Sequence, residues 1–163
     1  MVSDYPLDEE RAKKAYETLV KYLAGSARSE QECKDKLYDK GFHKDEVDFA
    51  VSKAKGYRYV DDEEYVRTFL LFNKSRYGAR KIIYKLTNEK GVDKNIVENI
   101  VFDEIDDDFE LELAEKMARK FVKTKKIEDK SDSQKVGAHL FQKGFDWRII
   151  NKVMATLFDV YED

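Results

Sequence analysis

The chain has 163 residues, of which 42% are hydrophobic and 40% charged, enough for one ordinary domain or a short repeat array with a large solvated surface. Its 31 bases and 34 acids leave a net charge of −3, which excludes a global pull toward nucleic acid and leaves only local patches. One proline, Pro6, and seven glycines are too few for a sheet protein rich in turns, and favour long helices joined by short connections.

In chain order, a long helix comes first. It starts in acid at Asp8-Glu9-Glu10 and carries Ala12, Tyr16, Leu19, Val20 and Leu23 at helical spacing. A shorter helix follows, with Ser29 as its N-cap and Cys33 and Leu37 four and eight residues on, so both lie on one face. Gly41 then ends that helix in a left-handed turn. Phe42 precedes a third helix capped by His43, with Val47 as its hydrophobic staple partner and Ala50 and Val51 continuing the apolar face.

The same pattern returns twice. The second long helix begins at Asp61-Asp62-Glu63-Glu64 and carries Tyr65, Val66, Phe69 and Leu70. Gly78, Ile82, Leu86, Gly91, Val92, Asp93 and Val97 follow, with one extra residue between Leu86 and Gly91. The third long helix begins at Asp106-Asp107-Asp108 and carries Leu111, Ala114, Met117, Ala118, Phe121 and Val122. Asp132, Val136, Leu140, Gly144, Phe145, Asp146 and Ile150 then repeat the template, and Gly137 falls inside a predicted helix. The later pairs Ile100 and Val101, and Val153 and Met154, match Ala50 and Val51. The expected fold is all-α: three tandem three-helix repeats over 1–56, 57–105 and 106–163, stacked into an elongated curved array.

Cys33 is the only cysteine, so no internal disulfide is possible, as in a reducing compartment. The opening MVSDYPLDEE is acidic and does not read as a signal peptide, and no apolar run approaches the roughly 20 residues of a membrane helix. A cytoplasmic, monomeric protein with no membrane association is expected.

Several blocks resemble the RecX family of recombination regulators. Arg28-Ser29-Glu30-Gln31-Glu32-Cys33-Lys34-Asp35-Lys36-Leu37 is similar to the family's first-repeat block, with Cys33 where leucine is usual. Tyr59-Val60-Asp61-Asp62-Glu63-Glu64-Tyr65-Val66 resembles its acidic signature. Tyr77-Gly78-Ala79-Arg80-Lys81-Ile82, running on to Leu86 and Lys90-Gly91-Val92, resembles its middle-repeat block. Lys143-Gly144-Phe145-Asp146-Trp147-Arg148-Ile149-Ile150 resembles its C-terminal ending. The resemblance implies three three-helix repeats. It also implies a regulatory protein of DNA repair and the SOS response that binds the RecA filament on single-stranded DNA, in the groove or at the growing end. Such a protein restrains strand exchange, ATP hydrolysis and the co-protease role.

Val66 to Asn88 contains no acid, but it holds Arg67, Lys74, Arg76, Arg80, Lys81 and Lys85, with Tyr77 and Tyr84 interleaved as half-buried packing residues. Lys116 to Ile127 is also free of acid and holds Lys116, Arg119, Lys120, Lys123, Lys125 and Lys126. Arg28, Lys34, Lys36 and Lys40 form a looser third cluster. The candidate partner-binding set is Arg67, Lys74, Arg76, Arg80, Lys81, Lys85, Arg119, Lys120 and Lys123. On one side of an array these bases would form a stripe for acidic filament surface or for single- or double-stranded DNA. The second run also reads as a solvated face that complements a helix dipole. Asp61-Asp62 reads either as a helix start or as a site for a basic partner.

Catalysis is not expected. No phosphate-cradling glycine loop or dinucleotide fingerprint is present, and two histidines with one cysteine are too few for a usual zinc site. No cofactor is implied. His43 reads as an N-cap, His139 as partly buried and Cys33 as core. The alternative to filament regulation is a stand-alone helical nucleic-acid-binding module. The face assignment makes Leu86→Ala destabilising by about 2–5 kcal/mol. Denaturant titration checks this, and a loss well below about 1 kcal/mol would place Leu86 outside the core.

Overall fold

The computed structural model describes residues 6–158, and all regular structure among them is helical. The first unit holds α1 (Glu9–Gly25), α2 (Glu30–Asp39) and α3 (Lys44–Gly56). The second holds α4 (Asp62–Asn73), α5 (Ala79–Tyr84) with a π turn over Lys85–Glu89, and α6 (Lys94–Glu104). The third holds α7 (Asp107–Lys125), a 3-10 turn (Lys130–Asp132), α8 (Ser133–Lys143) and α9 (Trp147–Phe158).

Each long helix starts as its acids dictate. The side chains of Asp8, Asp61 and Asp106 accept from the amides of Arg11, Glu64 and Phe109 at 3.1, 3.2 and 2.7 Å. Each takes up one of the four amides that a helix N-terminus leaves orphaned. Ser29 and Glu32 close a reciprocal capping box on α2.

The middle helices end in one recurring turn. Gly41, Gly91 and Gly144 have φ of +90°, +68° and +102°, the left-handed region that side chains resist. The Phe42 amide donates to the Leu37 carbonyl at 3.1 Å, and the Phe145 amide to that of Leu140 at 3.2 Å, each five residues back. In the second unit the Val92 amide reaches six residues back, to Leu86. That is the extra residue noted in the sequence. The chain absorbs it as a π turn, closed by the Lys90 amide on the Lys85 carbonyl. Leu86 thereby keeps its place and is fully buried.

Three separate cores follow. In the first, Leu19 of α1, Cys33 and Leu37 of α2 and Val47 of α3 meet. In the second, Val66 and Leu70 meet Ile82, Leu86 and Val101. In the third, Ala114 and Ala118 meet Leu140, Phe145 and Ile150. The long helix of each unit packs on its third helix: α1 on α3, α4 on α6 and α7 on α9. Two expected positions differ. Val20 points outward, and Ala15, one helical turn before Leu19, is buried in the first core instead. Tyr84 is 59% exposed, not half-buried, because the inward stripe of α5 runs through Ile82 and Leu86.

Cys33 is completely buried, and burial pushes its thiol up to about 12, so it stays protonated and behaves as a small core residue. No described helix is long and apolar enough to cross a membrane. Gly137 is buried within α8, and a methyl group there would lie at an ordinary 3.7 Å from Ile150 Cγ2. Gly137→Ala therefore gains helix propensity without a clash and is expected to stabilise the chain by about 1 kcal/mol. Thermal and denaturant melts check this, and a loss of stability would show that α8 needs the glycine.

Candidate binding surface

The binding candidates sit on or beside the junctions between units. The first turn of each of the first two middle helices lies against the glycine turn of the following unit. Ser29 Oγ donates to the Lys90 carbonyl at 2.5 Å, and the Gly78 amide donates to the Lys143 carbonyl at 2.8 Å. Ser29 and Gly78 are equivalent template positions, and so are Lys90 and Lys143. The next amide in each helix is taken by an acid from the following long helix. The Glu30 amide donates to Asp62 at 2.8 Å, and the Ala79 amide donates to Glu110 Oε1. A Cβ on Gly78 would fall inside contact distance of the Gly144 carbonyl, so that approach requires glycine.

Asp62 and Glu110 give up much of their hydration to do this. Burial raises both carboxyl groups above their usual range, while the backbone amide that each accepts pulls the other way. Asp61 caps α4, as the helix-start reading expects, but its neighbour Asp62 caps a helix of the preceding unit. Glu32 adds to the first junction. Its carboxylate approaches Lys90 Nζ at 3.7 Å, and burial together with Glu32 pushes the Tyr65 hydroxyl up to about 12.

The nine candidate bases do not form one free stripe. Arg80 is a junction residue: it donates to the Phe141 carbonyl at 2.5 Å and lies 4.0 Å over the Phe141 ring. Phe141 in turn stacks on Trp147 at 5.1 Å, making a guanidinium–phenyl–indole ladder whose outer member is 54% exposed. Lys81 Nζ lies 3.4 Å from the Gln142 carbonyl and 4.8 Å over Tyr77. Lys85 shares the Tyr77 ring at 5.3 Å and pairs with Glu89 at 3.6 Å. Arg67 stands 3.8 Å from both Glu63 and Glu104. The stretch is thus free of acid in sequence but not in space, because acids on either side fold back onto it.

Arg76 is exposed and in no ion pair among the described residues, and Lys74 lies 5.7 Å over the Phe109 ring. On α7, Arg119 pairs with Glu115 at 2.8 Å and Lys123 is exposed. Lys120 lies on a different face and, with Lys116, borders a groove that also receives Ser75. The structure therefore sets Lys74 over Phe109 at one end of this groove and Lys120 farther along it, and leaves Arg119 and Lys123 outside it. In the first unit, Arg28 and Lys36 cover the Tyr22 ring at 4.6 and 5.2 Å. The ladder partners Phe141 and Trp147 were not singled out in the sequence. Their only signal there is a lone tryptophan beside a helix cap.

Among the described residues no cluster of His, Cys, Asp and Glu could hold a metal ion. His43 caps α3, and His139 stacks on Phe121 at 4.3 Å, half-buried as expected. The surface offers cations, aromatic faces and backbone-anchored junctions, which suit recognition.

Glu110→Ala would leave the Ala79 amide without an acceptor and is expected to destabilise the chain by about 1–3 kcal/mol. Glu110→Gln keeps an acceptor without the charge and is expected to stay within about 1 kcal/mol of wild type at neutral pH. The folded carboxyl titrates above its unfolded value, so the native state holds the proton more tightly. The ionised side chain therefore opposes folding above the folded value, and this opposition fades as pH falls toward the ordinary carboxylate range. Denaturant titrations at neutral and mildly acidic pH check both points, and equal losses in the two variants would contradict them.

The family model described as RecX, first three-helix domain, matches residues 15–53, and that described as RecX, third three-helix domain, matches residues 107–154. Regulatory protein RecX of Caldanaerobacter subterraneus subsp. tengcongensis is 33% identical over 144 residues, 88% of this chain and 70% of that protein. Regulatory protein RecX of Clostridioides difficile is 32% identical over 163 residues, 96% of this chain and 74% of that protein. The crystal structure of RecX from Lactobacillus salivarius shares the fold, with a TM-score of 0.82 at 24% identity over 93% of this chain and 99% of that one. With two of its three-helix units matched and relatives aligned along most of its length, the chain belongs to the RecX family of regulatory proteins.

Proposed function

We propose that this chain regulates recombination by binding RecA filaments on single-stranded DNA and restraining their strand exchange, ATP hydrolysis and co-protease activity. The observation that carries the reading is family membership along most of the chain, with relatives named as regulatory proteins. Two features support it. Two cations in no ion pair among the described residues, Arg76 and Lys74, stand beside the second junction, where the second and third units meet. The one cysteine, Cys33, is held protonated inside the first core, which fits a protein that acts by binding. It is read as a cytoplasmic monomer without a cofactor.

Arg80 and Lys81 are poor probes of binding, because reversing either would also disturb the contact with unit three. Lys74→Glu with Arg76→Glu changes charge without touching that contact. The double variant is expected to keep wild-type helicity and to need about tenfold more protein for half-inhibition of RecA's single-strand-dependent ATPase, if each rim charge contributes about 0.7 kcal/mol. Unchanged inhibition removes this patch from the mechanism. Tight, steeply salt-dependent binding to naked single strands, with no effect on assembled RecA, would instead identify a stand-alone nucleic-acid-binding module.

A further inference from the structure

Helix α7 has two apolar stripes. Ala114 and Ala118 are fully buried against the third core. Phe109, Leu113, Met117 and Phe121 repeat every four residues along a second stripe and are only half-buried. Phe109 rests on the core of the second unit, and the other three rest on the edge of the third, so the stripe crosses the junction. It floors two adjoining clefts that share Met117 and Lys120, together a groove bounded by Ser75 at one end and by His139 and Lys143 at the other. From Phe109 to Lys125 the groove runs about 24 Å, roughly four and a half helical turns.

Lysines edge this floor. Lys116, Lys120, Lys125 and Lys143 line it, and none of them is in an ion pair among the described residues. Glu112 is the one acid lining this part of it. The local field is positive enough that Lys143 and Lys125 add to burial in holding His139 below its usual value. Lysine stems can lie along an apolar floor while their heads reach outward. Met117 at the centre is an adaptable contact residue.

We infer that this groove is a docking site for an acidic amphipathic helix, whose apolar face would lie on Phe109, Leu113, Met117 and Phe121 while its carboxylates meet the four lysines. Charge complementarity selects the occupant: a strip of unpaired ammonium groups along an apolar floor matches a helix with one acidic and one apolar face. A phosphodiester backbone would satisfy the lysines but leave the floor uncovered. The inference does not depend on the filament reading.

The test is fluorescence anisotropy of a labelled synthetic peptide of about 16 residues, with Glu on one helical face and Leu and Phe on the other. Saturable binding by the full chain is expected, weakened about tenfold or more by Lys116→Glu with Lys120→Glu. Met117→Gln, which alters the floor and keeps the charge, is expected to weaken it as well. Equal binding of a scrambled peptide of the same composition would overturn the inference, as would unchanged binding by the lysine variant at native circular dichroism. Displacement of the peptide by a lower concentration of oligo-dT would overturn it in favour of nucleic acid. RecA ATPase inhibition measured on the same preparations separates the two readings. No peptide binding by the wild-type chain with intact inhibition removes only the groove, and the reverse removes only filament regulation.

Discussion

The arrangement rests on one interaction made twice: a carboxylate near the start of a long helix takes up an orphaned amide at the start of the preceding unit's middle helix. Asp62 does this for Glu30, and Glu110 does it for Ala79. Each unit has its own core, with Phe109 of α7 resting on the second, and such undirected burial does little to fix how the units turn against one another. The carboxylate–amide contact, with the carbonyl of Lys90 or Lys143 accepting beside it, gives each junction direction as well as attraction. Hydrogen bonds to charged acceptors contribute about 1.5–3 kcal/mol each, so one substitution removes a sizeable part of what holds a junction.

This double use explains which parts were legible in the sequence. Helix starts, glycine turns and inward stripes are local or periodic features, and three copies of one template made them readable. The extra residue before Gly91 was visible as a broken spacing, and it became a π turn because Leu86 has to keep its buried position. The junctions were not legible. Gly78 reads as an ordinary helix cap, yet it also has to admit the Gly144 carbonyl of another unit. Asp62 reads as one more acid in a helix start, yet its partner lies 32 residues earlier. Nothing in local spacing marks a residue whose second role is set by a neighbour in space.

Charge was the least legible property. A run of bases without an acid looks like a patch, but Glu63, Glu89 and Glu104 return to Arg67 and Lys85, and Arg80 is drawn onto Phe141. The bases that stay available are Arg76 and Lys74 after α4, inside the first basic run, and the lysines around the groove of α7, most of them in the run that also reads as a solvated face. Both groups lie around the second junction. On the proposed reading, the surface offered to a partner joins Lys74 and Arg76 of the second unit to the lysines of the third, so its geometry depends on Gly78 and Glu110.

The most direct test of that dependence is inhibition of RecA's single-strand-dependent ATPase by the wild-type chain and by Gly78→Ala, titrated side by side. The added methyl group would push against the Gly144 carbonyl and the Phe145 amide at the second junction. The account predicts that wild type inhibits at well under one chain per RecA monomer, and that the variant keeps its helicity but loses inhibition. Equal inhibition by both proteins would contradict the claim that the junction builds the binding surface, and no inhibition by wild type even at equimolar amounts and low salt would contradict the regulatory reading itself.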